Sequence, residues 1–283
     1  MINGVTIKTK SQELAIPFAH VLLAYVTETA VARIAASPYG EEFWLCNGNE
    51  LGLDAYKKQI PRMLRYRYVG RQPMAERVEQ LRRYLTEQFQ LSGLQITESV
   101  MEGPLLRFAL VLDEMYVPLV LELTPADDAH VFARKEVFRL FMENDKTVTV
   151  SLYPMEQSIA YHLTCILAQL ELLQDMEHYL WAYDILKKYP LEGRKVKDEI
   201  AALCEKEHVR CEMQPFTMLQ GYGDYAYMRK KWKVLLRRTK REEPAWEEAQ
   251  ALICRFLEPI WQAVVEEQIF FGDWMPELGR FLD

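Results

Sequence analysis

The sequence predicts an α+β fold, a mixed sheet with flanking helices followed by an all-helical half. Three observations predict it. Residues 105–112 and 117–123 (LLRFALVL and VPLVLEL) are β-rich and bracket the turn Asp113-Glu114-Met115, the pattern of a hairpin. Residues 74–89 place Val78, Leu81, Leu85 and Phe89 on one helical face. From Met155 onward the apolar period is helical. The switch falls near Pro154, which predicts an α+β domain over 1–153 and a helical domain over 154–283.

Taken in order, residues 16–36 carry Phe18, Val21, Leu22, Tyr25, Val26, Ala30 and Ile34 at helical spacing. Ser37-Pro38-Tyr39-Gly40 ends that helix, because the residue before a proline leaves the helical region. Residues 42–46 (EFWLC) read as a short strand entering the turn Asn47-Gly48-Asn49. Leu64 to Tyr68 alternates arginine with tyrosine, and on periodicity alone Arg65 and Arg67 lie on the solvated face of an edge strand with Tyr66 and Tyr68 packed inward. Residues 148–152 read as a further strand. The second half predicts helices over 155–173, 176–188, 195–207, 224–240 and 245–267, with breaks at Tyr189-Pro190, Gly193, Gly221-Tyr222-Gly223 and Pro244.

Half of the 283 residues are hydrophobic and 27% are charged, so a sizeable core can form. The net charge of -7 argues against a surface that coats nucleic acid as a whole, while leaving room for a local basic patch. Five cysteines without a CxxC or a Cys/His cluster read as a reduced cytosolic protein. The opening residues have no apolar signal core, and no run reads as long and apolar enough to span a bilayer, so the expectation is a cytoplasmic protein with no membrane partner. No phosphate-loop, HExxH or GxSxG motif is present. Asp127-Asp128 reads as a turn or cap.

The most specific text is YPMEQSIAYHLTCIL from Tyr153 and MEHYLWAYDILKKYPLEG from Met176. It resembles the AbiEii/AbiGii-type nucleotidyltransferase toxins of bacterial toxin–antitoxin and phage-defence operons. That family shows Tyr-Pro-x-Glu, a helix with Ala-Glu-Lys-Leu and a next helix with Met-Lys-Asp-Tyr-Tyr-Asp-Leu. SPYGEEFWLCNGNELGL resembles its strand into a Lys-Gly-Gly turn that opens a helix, and VPLVLELTPADD its later strand. The resemblance implies a nucleotidyltransferase-like sheet, Mg²⁺ in an active member, and a functional cleft between the two halves.

Nucleotidyl transfer needs a hard divalent metal, and two aspartates at i and i+2 on a strand can hold it from one face. This chain has no Asp-x-Asp, and alignment puts that pair on Arg65 and Arg67. Two guanidiniums there repel Mg²⁺ but attract phosphate. Glu122 and Asp127 stand at the family's later carboxylates as residual catalytic candidates, and a salt bridge from Glu122 to Arg65 or Arg67 is the favoured role for the former. His162 replaces the family's lysine, Glu177 and His178 its Lys-Asp, and Trp181 its following aspartate. Asn47, Gly48, Arg65, Arg67, His162 and His178 are thus the phosphate- or nucleotide-binding candidates. A metal site from His162, His178 and Glu122 is chemically possible but nothing in the spacing demands it, so no metal site is assigned.

Residues 229–241 (RKKWKVLLRRTKR) hold eight basic residues and no acid. They read either as a packed helix with a solvated basic face or as a phosphate-tracking stripe, with Arg229, Lys230, Lys231, Lys233, Arg237 and Arg238 as RNA-binding candidates. The expectation is a degenerate member that needs no cofactor and works by binding an antitoxin-like or other defence-system protein, a nucleotide or RNA. The alternatives are an active Mg²⁺-dependent transferase and a scaffold with a filled site. Arginine paired internally with Glu122 favours a filled site. Arginines open in a pocket favour phosphate capture.

Overall fold

The computed structural model describes residues 2–53, 56, 63–127, 131–143 and 146–282. The chain divides into two compact units, residues 1–126 with 132–154, and residues 127–131 with 155–283. The expected helix after the Asn47-Gly48 turn and the reading of Asp128 fall largely or wholly outside the described residues.

In the first unit, α1 (Gly4–Leu14) and α2 (Phe18–Ala35) precede the strands β1 (Phe43–Leu45) and β2 (Leu64–Tyr68). Helix α3 (Met74–Leu91) follows, then β3 (Gln95–Glu102), β4 (Leu105–Leu112), β5 (Met115–Pro125), β6 (Arg134–Arg139) and β7 (Thr147–Leu152). Among the described residues these strands form one mixed sheet in the order β3-β4-β5-β2-β1-β7-β6. The β2–β5 and β1–β7 pairs are parallel and the rest antiparallel. The expected hairpin is β4–β5, with Asp113 and Glu114 at positive φ in its turn.

Alternation sets the two faces of the sheet. Leu106, Phe108, Leu110, Val117, Leu119, Leu121, Leu123 and Tyr66 are buried in one core with the apolar residues of α2 and α3. The opposite face carries Arg65, Arg67, Glu122 and Thr124, one residue out of step with that core set.

The edge-strand reading of Leu64 to Tyr68 is corrected. β2 lies between β5 and β1, because Leu64, Tyr66 and Tyr68 are buried and both backbone edges are paired. Tyr66 and Tyr68 do face the core, but Arg67 is only 5% exposed rather than solvated. The absence of a span-length apolar run also needs correction. Helix α2 is long and apolar enough to cross a bilayer, yet over half of it is buried within this unit as the helix that packs on β5 and β7.

The second unit contains α4 (Met155–Gln169), α5 (Glu177–Lys188), α6 (Gly193–Lys206), α7 (Met213–Gln220), α8 (Ala226–Arg238) and α9 (Trp246–Val265). Helix α9 contacts α5, α6, α7 and α8 and forms the centre. Four indoles fix the connections while burying their rings. Trp232 Nε1 donates to the Pro244 carbonyl and Trp246 Nε1 to that of Tyr222, both at 2.8 Å. Trp261 Nε1 donates to Glu212 O at 2.9 Å, and Trp274 Nε1 to Leu186 O at 2.8 Å.

This half is not purely helical. β8 (Leu191–Glu192), β9 (Asp273–Met275) and β10 (Arg280–Leu282) make a small antiparallel sheet. Gly193, expected as a break, is the first residue of α6, where a Cβ would come within 2.1 Å of the Gly272 carbonyl oxygen. The basic helix is shorter than expected, because Gly221–Asp224 forms a separate 3-10 turn.

Candidate functional site

The central cluster of the first unit sits on β2 and β5. Their parallel register sets Arg65 beside Glu122 and Arg67 beside Thr124. Arg65 Nε lies 3.4 Å from Glu122 Oε2, and its Nη1 lies 3.6 Å from Glu50 Oε1. One guanidinium thus serves two carboxylates in a site where the Glu122 side chain is 11% exposed. Arg67 Nη1 donates to Thr124 Oγ1 at 3.0 Å and to the Pro125 carbonyl at 3.2 Å, and its guanidinium stands 6.0 Å from the Tyr153 ring centroid. A divalent cation does not fit this donor set. The carboxylate oxygens face a fixed positive charge, and β2 supplies arginine where a second carboxylate is needed.

Asn47 and Gly48 serve the fold. Asn47 is buried, and its Nδ2 donates to Glu50 Oε2 at 2.9 Å and to Met63 O at 3.0 Å. Its Oδ1 accepts from the Arg65 amide at 3.0 Å. All three contacts clamp the turn onto the start of β2. Gly48 allows close packing, since a Cβ there would lie 2.7 Å from Leu152 Cδ2.

The second unit gathers Asp127, Ser158, His162 and His178. Ser158 Oγ donates to Asp127 Oδ2 at 2.5 Å. His162 is 1% exposed, and its Nε2 lies 3.2 Å from Asp127 Oδ2, off the line of a straight hydrogen bond. Its Nδ1 is 3.0 Å from His178 Nδ1, so only one of the two rings holds a proton on that edge. Trp181 stacks on His162 with centroids 6.5 Å apart. The structure therefore joins the two candidate histidines to Asp127, while Glu122 takes Arg65. Sequence reasoning missed this chain because its members come from separate segments. The one signal available was the presence of two histidines on successive helices. Among the described residues, no three His, Cys, Asp or Glu side chains are placed to hold a metal ion.

Helix α8 buries Met228, Trp232, Leu235 and Leu236. Several of its cations are spent inside the unit. Arg229 Nε is 2.6 Å from Glu247 Oε1, Arg238 pairs with Glu177 and Asp175, and Lys231 donates to the Leu173 carbonyl. Just beyond the helix, Arg241 makes a bidentate pair with Asp184 at 2.6 and 2.9 Å. Lys230, Lys233 and Arg237 are exposed.

No family model matches the chain, and no curated protein sequence does. Among solved structures it is similar to MenT4, a nucleotidyltransferase toxin from Mycobacterium tuberculosis H37Rv, at TM-score 0.44 and 10% identity over 95% of this chain and 100% of that one. It is also similar to an H. pylori protein whose nucleotidyltransferase assignment is provisional, at TM-score 0.30 and 12% identity over 89% of this chain and 97% of that one. Overlaps at these scores leave the chemistry to be argued from the residues of this chain.

Proposed function

We propose that the chain is a degenerate relative of the AbiEii/AbiGii-type nucleotidyltransferase toxins, acting in the bacterial cytoplasm by binding rather than by nucleotidyl transfer. Its partners on this reading are an antitoxin-like or other defence-system protein, or RNA. The observation that carries it is the position of the Arg65 guanidinium against Glu122 and Glu50, where transfer chemistry needs a metal. The replaced lysine at His162 and the replaced aspartate at Trp181 support it from the helical half. The internal pairing of Arg65 and the burial of Arg67 favour a filled site over capture of nucleotide phosphate at these arginines.

A second reading is supported by the Asp127–His162–His178 chain, which has the composition of a proton relay. On that reading the protein is an active transferase whose acid–base groups lie in the second unit, with Mg²⁺ as its cofactor. Calorimetric titration with each nucleoside triphosphate, with and without Mg²⁺, separates the two. The expected outcome is no Mg²⁺-dependent binding and no release of pyrophosphate. Tight binding that requires Mg²⁺ overturns the first reading.

A further inference from the structure

One face of α8 is unused by the fold. Lys230, Lys233 and Arg237 are exposed and follow one another at i+3 and i+4, so they form one stripe about 10 Å long. Among the described residues none of the three makes an ion pair or a side-chain hydrogen bond. Their neighbours Arg229 and Arg238 are paired with acids of their own unit. A chain of net charge -7 that leaves three cations unneutralised on one helical face carries a local field of the opposite sign.

Beside this stripe lies a depression of about 300 Å³ between α8 and the turn at 174–176. Met176, Val234 and Leu235 give it apolar lining, Tyr227 an aromatic wall, and Gln174 a side-chain amide. Tyr227 is 51% exposed and Val234 58% exposed, so both present surface to a ligand. Lys231 Nζ stands 5.3 Å from the Tyr227 ring centroid and holds one side of that ring. Lys230 and Arg238 also line it. Asp175 also lines the depression, but its carboxylate is engaged. Asp175 Oδ1 accepts from the Glu177 amide at 2.9 Å and lies 3.7 Å from Arg238 Nη2.

We propose that this surface binds a single-stranded polynucleotide, with one base in the depression against Tyr227 and successive phosphates on Lys230, Lys233 and Arg237. The volume suits a single unstacked base. An aromatic wall beside a row of cations is what strand binding without sequence readout requires, because every base has a π-face and every link a phosphate. An acidic peptide would use the cations alone. The proposal is independent of the β2 cluster.

The test is fluorescence anisotropy of the full chain with labelled ten-nucleotide ribo- and deoxyribo-oligomers, a duplex of the same length, and polyglutamate as competitor. The variants are Tyr227→Ala, Lys230→Gln with Lys233→Gln, and Lys8→Gln as an exposed control on the first unit, each checked for unchanged melting. Single strands of at least one sugar type are expected to bind, and both α8 variants to weaken binding five-fold or more, with the control unaffected. Equal binding by Tyr227→Ala, preference for the duplex, displacement by polyglutamate at lower concentration than by unlabelled oligomer, or no binding at low salt overturns the proposal. Mg²⁺-dependent triphosphate binding would sink the non-catalytic reading and leave this one standing.

Discussion

At the scale of single residues, the β2 cluster shows how the position of one guanidinium sets the use of a surface. The i, i+2 spacing of Arg65 and Arg67 was legible, and so was the pairing of Glu122 with an arginine. What the sequence concealed is that β2 is an interior strand, so a charge there must be balanced by its neighbours. Arg65→Met removes the guanidinium that Glu122 and Glu50 share. Breaking a fully buried pair costs about 3–5 kcal/mol, and with Arg65 23% exposed a loss of about 2 kcal/mol is expected here. Adding Glu122→Leu should restore part of it, because the carboxylate that lost its counter-charge is then gone. Urea unfolding of the two single variants and the double variant completes the cycle. If the double variant loses as much as the two single losses added together, the pair is not coupled.

At the scale of elements, legibility followed periodicity. Helix α3 was readable because it shows one clean helical period, and the β4–β5 hairpin because two β-rich apolar runs bracket a turn. Strand β3 was not, since its residues QITESVME are mostly exposed and its hydrogen bonds come from β4. Helix α1 was missed for a similar reason. It buries only Ile7 and is begun by a local cap, Asn3 Oδ1 accepting from the Thr6 amide at 3.0 Å. The Asn47-Gly48 turn was readable as a turn but not as a clamp, because Met63 and Arg65, which complete it, are remote in sequence. Helix α8 shows both sides of the problem: the eight cations of residues 229–241, six of them on the helix, said little about which the fold consumes. Its packed face should dominate stability. Trp232 is 1% exposed and donates to the Pro244 carbonyl, so Trp232→Ala is expected to cost about 3–5 kcal/mol by denaturant unfolding. Lys233→Gln on the other face should stay within about 0.5 kcal/mol. Similar losses from both would mean that the basic face is also structural.

At the scale of the whole molecule, one buried acid ties the stability of the first unit to pH. Glu28 lies on α2 at 7% exposure, and its Oε2 accepts from the Phe141 amide at 2.5 Å. Burial pushes its carboxyl up to about 7, against the smaller opposing effects of the Phe141 amide and the Tyr56 hydroxyl. The folded state therefore holds this proton more tightly than the unfolded chain, the reverse of a salt-bridged carboxylate. Its contribution is full below about pH 4.5, declines as the pH rises, and is gone above about pH 7. A shift of that size corresponds to at most about 3 kcal/mol across the window. Glu28→Gln keeps an oxygen for the Phe141 amide and cannot ionise. Relative to the unsubstituted protein, it should therefore gain stability from pH 5 up to about pH 7 and hold that gain at pH 8 in denaturant unfolding. Because the chain has two units, the transition to follow is that of the first, read by hydrogen exchange of amides in β5 and α2. Parallel pH profiles for the two proteins would show that Glu28 is ionised in the fold and that its charge is met by groups other than the Phe141 amide.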